Sequence, residues 1–491
     1  MEFYRFRKIS SLLGEFQELE NNEIYFASPE ELNDPMEGYR DIYWEGDFIA
    51  WKNLFRHYLL CLEWMCSGYL IGGEKWQFSE KDIPVHLGFD LYPTDKYRSL
   101  VSDIINDFFS DSDLLSLIND ICKRTTKIRR DELSFYLSRV HFYALKVIFN
   151  NYIKNGMYDK NKAEWIDDGR GLNLDGNFIE LLEQMIERHE DNADRITSIF
   201  FSSTMRSHQQ LNLIQVLNAE ELRGNNIFIL FDFYNKYINN LSKLMYSDWF
   251  TACFMRQNTN SSVWGNYVDN HTGVCMIFEA IEEDGSFKLP FHCKTGCSSS
   301  GAILGDVKMT LHKINYENGL ESTDFFRNLG VLPIPKLNEM WYSDDGEMSL
   351  CAQEMNLDIA AWRKKYWDVY IRDITVKSLD WEYENEYRVI LQSFLHDYSS
   401  KNERALKYDF SCLKGIIFGI KTSLEHKVEI IKIIRKKCLD SGRDAFDFYQ
   451  AYYSPNERKI LHYKLGLLKF SHHTDSDGAE TDGHAQETGS Q

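Results

Sequence analysis

Lys377-Ser378-Leu379-Asp380-Trp381-Glu382-Tyr383-Glu384-Asn385-Glu386-Tyr387-Arg388-Val389-Ile390 is the stretch on which the fold of this chain turns. Read with a period of two, it is a strand that puts Glu384, Glu386 and Arg388 on one face and Tyr383, Asn385, Tyr387 and Val389 on the other. The apolar run Val389-Ile390-Leu391 then carries that strand into a core. Carboxylates at i and i+2 repel, which raises the pKa of one and suits acid–base or electrostatic chemistry. A solvated face with cross-strand ion pairs would carry the same residues, so the pattern leaves both uses open.

Working outward, Phe250 to Phe254, Gly273 to Phe278, Val307 to Tyr316 and Gly415 to Ile420 also read as strands. At the chain start, Phe3 to Phe6 and Ile24 to Ala27 flank a helical segment near Leu12 to Leu19, a β-α-β opening. From about Trp44 to Ser247 apolar residues instead recur three and four apart, as in Leu100, Val101, Ile104, Ile105 and Phe108, which is helical spacing, with a polar break at Asp159 to Gly176. Thr422 with Glu425 reads as a capping box opening a helix whose apolar face is Val428, Ile431, Ile434 and Cys438. The fold class expected is α+β, a mixed sheet domain split by a large helical insertion. Residues 1–44 and 248–440 form the discontinuous sheet domain, 45–247 the helical lobe, 441–470 a C-terminal extension, and 471–491 an acidic tail read as disordered.

Charge narrows the partners. With 55 Lys and Arg against 75 Asp and Glu the net charge is −20, which argues against broad binding to nucleic acid or anionic membrane and leaves room only for a local basic groove. No apolar secretory segment opens the chain, and Tyr58 to Gly72 is too short and too interrupted by Glu63 to cross a bilayer, so a cytoplasmic protein without membrane association is expected. The ten cysteines are scattered, and the closest pairs, Cys61 with Cys66 and Cys293 with Cys297, lack the second ligand pair of a zinc site, so reduced thiols and no metal centre are expected.

Three further clusters carry chemistry. In Tyr4-Arg5-Phe6 a strand arginine sits between aromatics, fit either to grip a carboxylate or phosphate or to pair internally with Glu384 or Glu386. Asn33-Asp34-Pro35-Met36-Glu37 is either a turn or a set of carboxylates presented at a strand end. Trp264, Tyr267 and His271, if helical, fall on one face, where they would anchor a core or stack and hydrogen-bond a planar ring.

Together with Tyr25-Phe26-Ala27-Ser28-Pro29, Ala252-Cys253-Phe254 and Gly415-Ile416-Ile417-Phe418-Gly419, these motifs in this order resemble the bacterial family known as domain of unknown function 2971. The resemblance covers residues 1 to 44 and 248 to 440, and Met255 stands where Ser is more usual. It implies a bacterial stress or phage-defence setting but no reaction. The layout also resembles ADP-ribosyltransferase-like folds, which implies NAD as substrate. On that likeness Glu386 would stabilise an oxocarbenium-like ribose, Glu384 would orient or activate the acceptor, and Arg388 would stand beside them on the catalytic strand. Arg5 would hold the diphosphate, and Trp264 or Tyr267 would stack the nicotinamide, with Tyr4, His271, Asn33 and Asp34 completing the binding set. A rival reading gathers Asp34, Glu37, Glu384 and Glu386 around Mg²⁺ near Lys377 for phosphodiester cleavage. A third is non-catalytic, with the helical insertion binding a protein partner.

Overall fold

The computed structural model describes residues 1–162, 178–218, 224–299, 301–316, 321–393 and 396–468. The expected disordered tail after Ser471 and most of the expected polar break at 159–176 lie outside them. Helix and mixed sheet are both present, and no helix among the described residues is long and apolar enough to cross a membrane.

The main sheet has twelve strands. They are β1 (Glu2–Arg7), β2 (Glu23–Tyr25), β3 (Trp249–Met255), β4 (Val274–Glu279), β5 (Ile281–Glu283), β6 (Ser286–Ser298), β7 (Gly301–Lys313), β8 (Glu386–Gln392), β9 (Ala405–Tyr408), β10 (Leu413–Phe418), β11 (Asp447–Ser454) and β12 (Lys459–Lys464). Their order is β12-β11-β10-β4-β1-β3-β8-β7-β6-β9-β2, with β5 on β6. The sheet curls until its end meets its middle: Ala27, just past β2, exchanges two backbone hydrogen bonds of 2.8 Å with Thr251 of β3. The strands β3, β8, β7, β6, β9 and β2 thereby close into a ring, whose closure satisfies backbone groups that an open edge would leave unpaired.

Period two explains both faces of β3 and β8. Phe250, Ala252, Phe254, Tyr387, Val389 and Leu391 pack on one hydrophobic core together with Phe3, Phe278 and Phe291. On the opposite face Trp249 and Ile390 join a second core, that of the helices. This core is built mainly from α1 (Phe48–Gly72), α2 (Asp95–Phe109), α3 (Ser112–Cys122), α4 (Arg130–Lys154), α5 (Phe178–Glu187), α6 (Ala193–Asn218) and α7 (Phe233–Met245). It also takes in Phe325, Phe326, Trp341, Trp362, Tyr370 and Ile374. Residues 325–374, which the pattern left with the sheet, therefore pack with the helices. The segment expected as a C-terminal extension supplies β11 and β12 to the main sheet.

Two local readings need correction. The helix α9 (Leu424–Ser441), numbered after α8 (Ile359–Ile374), is capped by Ser423, whose hydroxyl accepts from the His426 amide, while Thr422 Oγ1 donates to the Gly273 carbonyl at 2.8 Å. Its buried face is Ile430, Ile434 and Cys438, and Val428 is exposed. The second concerns Trp264 to His271. The helix there ends at Asn266, and Asp269, Asn270 and His271 all have positive φ, so Trp264, Tyr267 and His271 share no helical face. The turn packs tightly, since a Cβ on Gly419 would lie 2.3 Å from the His271 carbonyl oxygen.

Candidate functional site

The two ends of β3 take different neighbours, and a cleft opens at the fork. Thr251 bonds to Ala27, whereas Met255 lies opposite Tyr4 of β1, so β1 and β2 diverge across the same edge. Arg5 spans the gap. Its Nη1 donates to the Cys253 carbonyl at 3.1 Å and its Nη2 to the Tyr25 carbonyl at 3.0 Å, replacing strand pairing that the fork prevents. Arg5 is 5% exposed, its Nε has no partner, and no carboxylate pairs with it among the described residues. Burial and the neighbouring Arg7 bring its pKa down to about 10. The expected internal pair with Glu384 or Glu386 is not formed.

Behind this fork a chain of five charges runs through the interior, in the order Glu37, Arg388, Glu386, Lys377, Glu384. Arg388 is fully buried and holds Glu37 through both Nη groups, at 2.5 and 2.8 Å. Its Nε donates to Glu386 Oε1 at 2.8 Å and its Nη2 to Glu386 Oε2 at 3.2 Å. Lys377 Nζ reaches Glu386 Oε2 at 3.1 Å and Glu384 Oε2 at 2.7 Å, while Tyr267 Oη donates to Glu384 Oε1 at 2.7 Å. Glu384 is not on the strand, which begins at Glu386. It ends a 3₁₀ turn, and Asn385 at φ 45° folds it back so that both carboxylates meet one ammonium. The shared face expected for the two carboxylates thus arises from a left-handed turn, and only Glu386 and Arg388 obey the strand period.

The environment drives the two carboxylates apart. Burial raises the Glu386 pKa, but Arg388 and Lys377 outweigh it and bring it down to about 2, so this group stays an anion. Burial dominates at Glu384 over the opposing pull of Lys377, and its pKa is raised. Such divergence marks sites where one carboxyl supplies fixed charge and the other can hold a proton.

The cleft has a volume of about 370 Å³ and is lined by Tyr4, Arg5, Asn33, Tyr267, Glu386 and Arg388 among the expected site residues. Glu384 is 1% exposed and stands behind Tyr267 and Lys377. Trp264 is fully buried, packed edge-on against Phe6 with Nε1 donating to the Asn258 carbonyl at 2.7 Å, so it anchors a core beneath the cleft. His271 lies outside the lining, at the left-handed turn. Asp34 is buried and accepts the Met36 amide through Oδ1 at 2.9 Å, holding the loop that carries Glu37. Sequence reading missed Arg7, Lys8, Phe16, Glu18 and Lys401, which also line the cleft. Arg7 shares the strand face of Arg5 at i+2, a signal that was available. Phe16, half exposed, stacks on Tyr25 at 6.3 Å at the mouth.

The four carboxylates proposed for Mg²⁺ do not fit a cation. Glu37 and Glu386 have both oxygens engaged by Arg388 or Lys377, Glu384 is bound by Lys377 and Tyr267, and Asp34 serves its own turn. Removing those donors would leave buried cations unpaired.

Residues 263–389 match the model of a family described as "Protein of unknown function (DUF2971)". No curated protein and no solved structure matches the chain. The matched span is shorter than the motifs from Tyr4 to Gly419 suggest, yet it holds Tyr267, Lys377, Glu384, Glu386 and Arg388. By the stretch that builds its buried charge chain, this protein resembles the DUF2971 family.

Proposed function

We propose that the cleft is an active site for a nicotinamide dinucleotide, splitting the bond between nicotinamide and ribose, with water or an acceptor group as the second substrate. The observation that carries this reading is Arg5, a buried guanidinium hydrogen-bonded to carbonyls and to no carboxylate among the described residues, in the lining of a cleft that Glu386 also lines. Glu18 acts on Arg5 electrostatically but is hydrogen-bonded to Arg7, so a diphosphate would supply an anion that Arg5 itself can grip. The guanidinium spends two of its five N–H groups on carbonyls and its Nε is buried, which leaves at most the second N–H of each Nη for a ligand. Glu386, its oxygens still held by Arg388 and Lys377, would then offer its negative charge from the lining as positive charge develops on the ribose and nicotinamide leaves. Its fixed charge needs no proton transfer to act. Glu384 would work through Tyr267 and Lys377 as a positioning residue. The half-exposed Phe16 offers a ring for the base, in place of the enclosed Trp264. Such an activity would suit an effector acting in bacterial stress or phage defence by draining NAD.

The test is nicotinamide release from NAD by wild type and by Glu386→Gln, with melting temperatures measured alongside because the variant disturbs a buried ion network. Loss of about 10² or more in turnover from a folded variant is expected. Equal release would remove Glu386 from the chemistry. Binding of NAD without release by wild type would make the cleft a sensor site, and no binding would end the dinucleotide reading.

A further inference from the structure

The loop at 33–41 leaves the cleft at Asn33, gives Glu37 to Arg388, and then lines a second cavity with Gly38, Arg40 and Asp41. This cavity has a volume of about 370 Å³ and lies where the short strands Ile42–Trp44 and Ile128–Arg129 meet α4, α6 and α7. Four cations line it, Arg40, Lys127, Arg129 and Arg130, together with Asp41, Asp131 and Glu132. Two of those carboxylates are already neutralised: Arg129 pairs with Asp41, and Glu132 accepts from Arg124 Nε at 2.7 Å. Arg130 Nη2 donates to the side-chain oxygen of Asn239. Lys127 Nζ stands 4.4 Å over the Tyr43 ring. Arg40 stands 4.6 Å over the Tyr246 ring and also interacts with Asp373, and Arg130 interacts with Glu80 as well as Asp131, so the lining sets four cations against three carboxylates in a chain of net charge −20.

The unpaired hydrogen-bonding groups of the lining are donors. Arg40 Nε and Nη2 are buried without an acceptor, and so is Nε1 of Trp44, a residue only 2% exposed. Buried donors without acceptors are uncommon and costly. Above them α4 begins at Arg129 with no side chain capping its first turn, so its free amides and positive end add to the same field. Trp44 and Phe201 supply an apolar wall.

We propose that this cavity is a second ligand site, binding a small organic molecule that carries a phosphate group. Cations, orphan donors and an uncapped helix start favour the phosphate. The volume, in the range of small-molecule pockets and well above that of a bare phosphate, together with the aromatic wall, favours an attached organic group. The proposal is independent of what the cleft does.

Calorimetric titration of the full chain with AMP, and separately with inorganic phosphate, tests it on wild type, Lys127→Gln, Arg40→Gln and Arg5→Gln. AMP should bind wild type at least about tenfold tighter than inorganic phosphate, and about tenfold weaker to the Lys127 and Arg40 variants, each worth about 1.4 kcal/mol. The Arg5 variant reports any AMP held in the cleft and should keep the binding component that Lys127→Gln weakens. Lys127 is partly exposed, so its variant keeps the test sound if Arg40→Gln misfolds. AMP binding unchanged in Lys127→Gln, or lost in Arg5→Gln alone, would overturn the site. Equal affinity for AMP and inorganic phosphate would overturn the organic group.

Discussion

Two carboxylates, each at most 1% exposed, are treated in opposite ways. Glu386 sits between Arg388 and Lys377 and is held ionised. Glu63, inside α1, meets hydroxyls only: Tyr152 Oη donates at 2.8 Å and Tyr97 Oη at 3.0 Å. Burial raises its pKa, the tyrosines pull against that, and the result is about 7. Both groups have their hydrogen bonds, and only one has its charge compensated. The difference separates a site built to keep a charge from a helix core that tolerates a polar group by letting it take up a proton.

Removing the counter-ion should have the largest effect. Arg388→Ala strands Glu37 and Glu386 without their guanidinium and is expected to cost about 3–5 kcal/mol in urea unfolding. Glu63→Gln, which keeps shape and removes only the titrating proton, should stay within about 1 kcal/mol of wild type at neutral pH. If the two variants cost the same, compensation of charge is not what distinguishes the two regions.

The pH dependence should come next and should have opposite signs. The folded pKa of Glu63 lies above the ordinary 4.5, so the folded chain binds the extra proton and this group's contribution to stability falls as pH rises from about 4.5 through about 7. The folded pKa of Glu386 lies below 4.5, so its contribution is present above that value and is lost as pH falls toward about 2. Each unit of difference between folded and unfolded pKa is worth about 1.4 kcal/mol. Melting curves between pH 5 and 8 should therefore show a slope in wild type that Glu63→Gln flattens. An unchanged slope would move Glu63 out of the titrating set.

The smallest expected change sharpens the same contrast. Tyr152→Phe removes one donor from Glu63 and should cost about 1 kcal/mol at pH 8, where the carboxylate is charged, and less at pH 5. A cost independent of pH would mean that the hydroxyl serves packing and not the carboxylate.

Much of this was legible in the chain. The runs at 250–254 and 386–392 gave strands, and in the second the period placed Glu386 and Arg388 on one face and Tyr387 and Val389 on the other, because alternation is a local signal. Glu386, Arg388, Arg5 and Tyr267, picked from charged and aromatic motifs far apart in the chain, line one cleft. Contacts were harder. The pair Arg388–Glu37 spans 351 residues, and nothing local to either says that they meet. The meeting of Glu384 with Glu386 depends on one left-handed residue, Asn385, inside what reads as an unbroken strand. The long hairpin strand β6 escaped notice because Pro290, Gly296 and alternating polar residues blur its period. Trp264 stayed open between core anchor and stacking platform because a buried indole and a ligand-facing one have the same sequence. Its partner Asn258 decides between them.

The bond pair between Ala27 and Thr251 also decides at which end this sheet could be extended by another chain. A strand row with free N–H and C=O groups is a template for any passing strand, and ring closure removes that template at the β2 end. The row at β12 has no further strand beside it among the described residues, though its Ile460 amide donates to the Thr259 carbonyl at 3.0 Å. It is six residues long and carries Lys459 and Lys464 at its two ends, each engaged with a neighbouring carboxylate. A second chain docking there would meet charged side chains at both ends of the row, whereas at the other end of the sheet it would find no free row at all among the described residues.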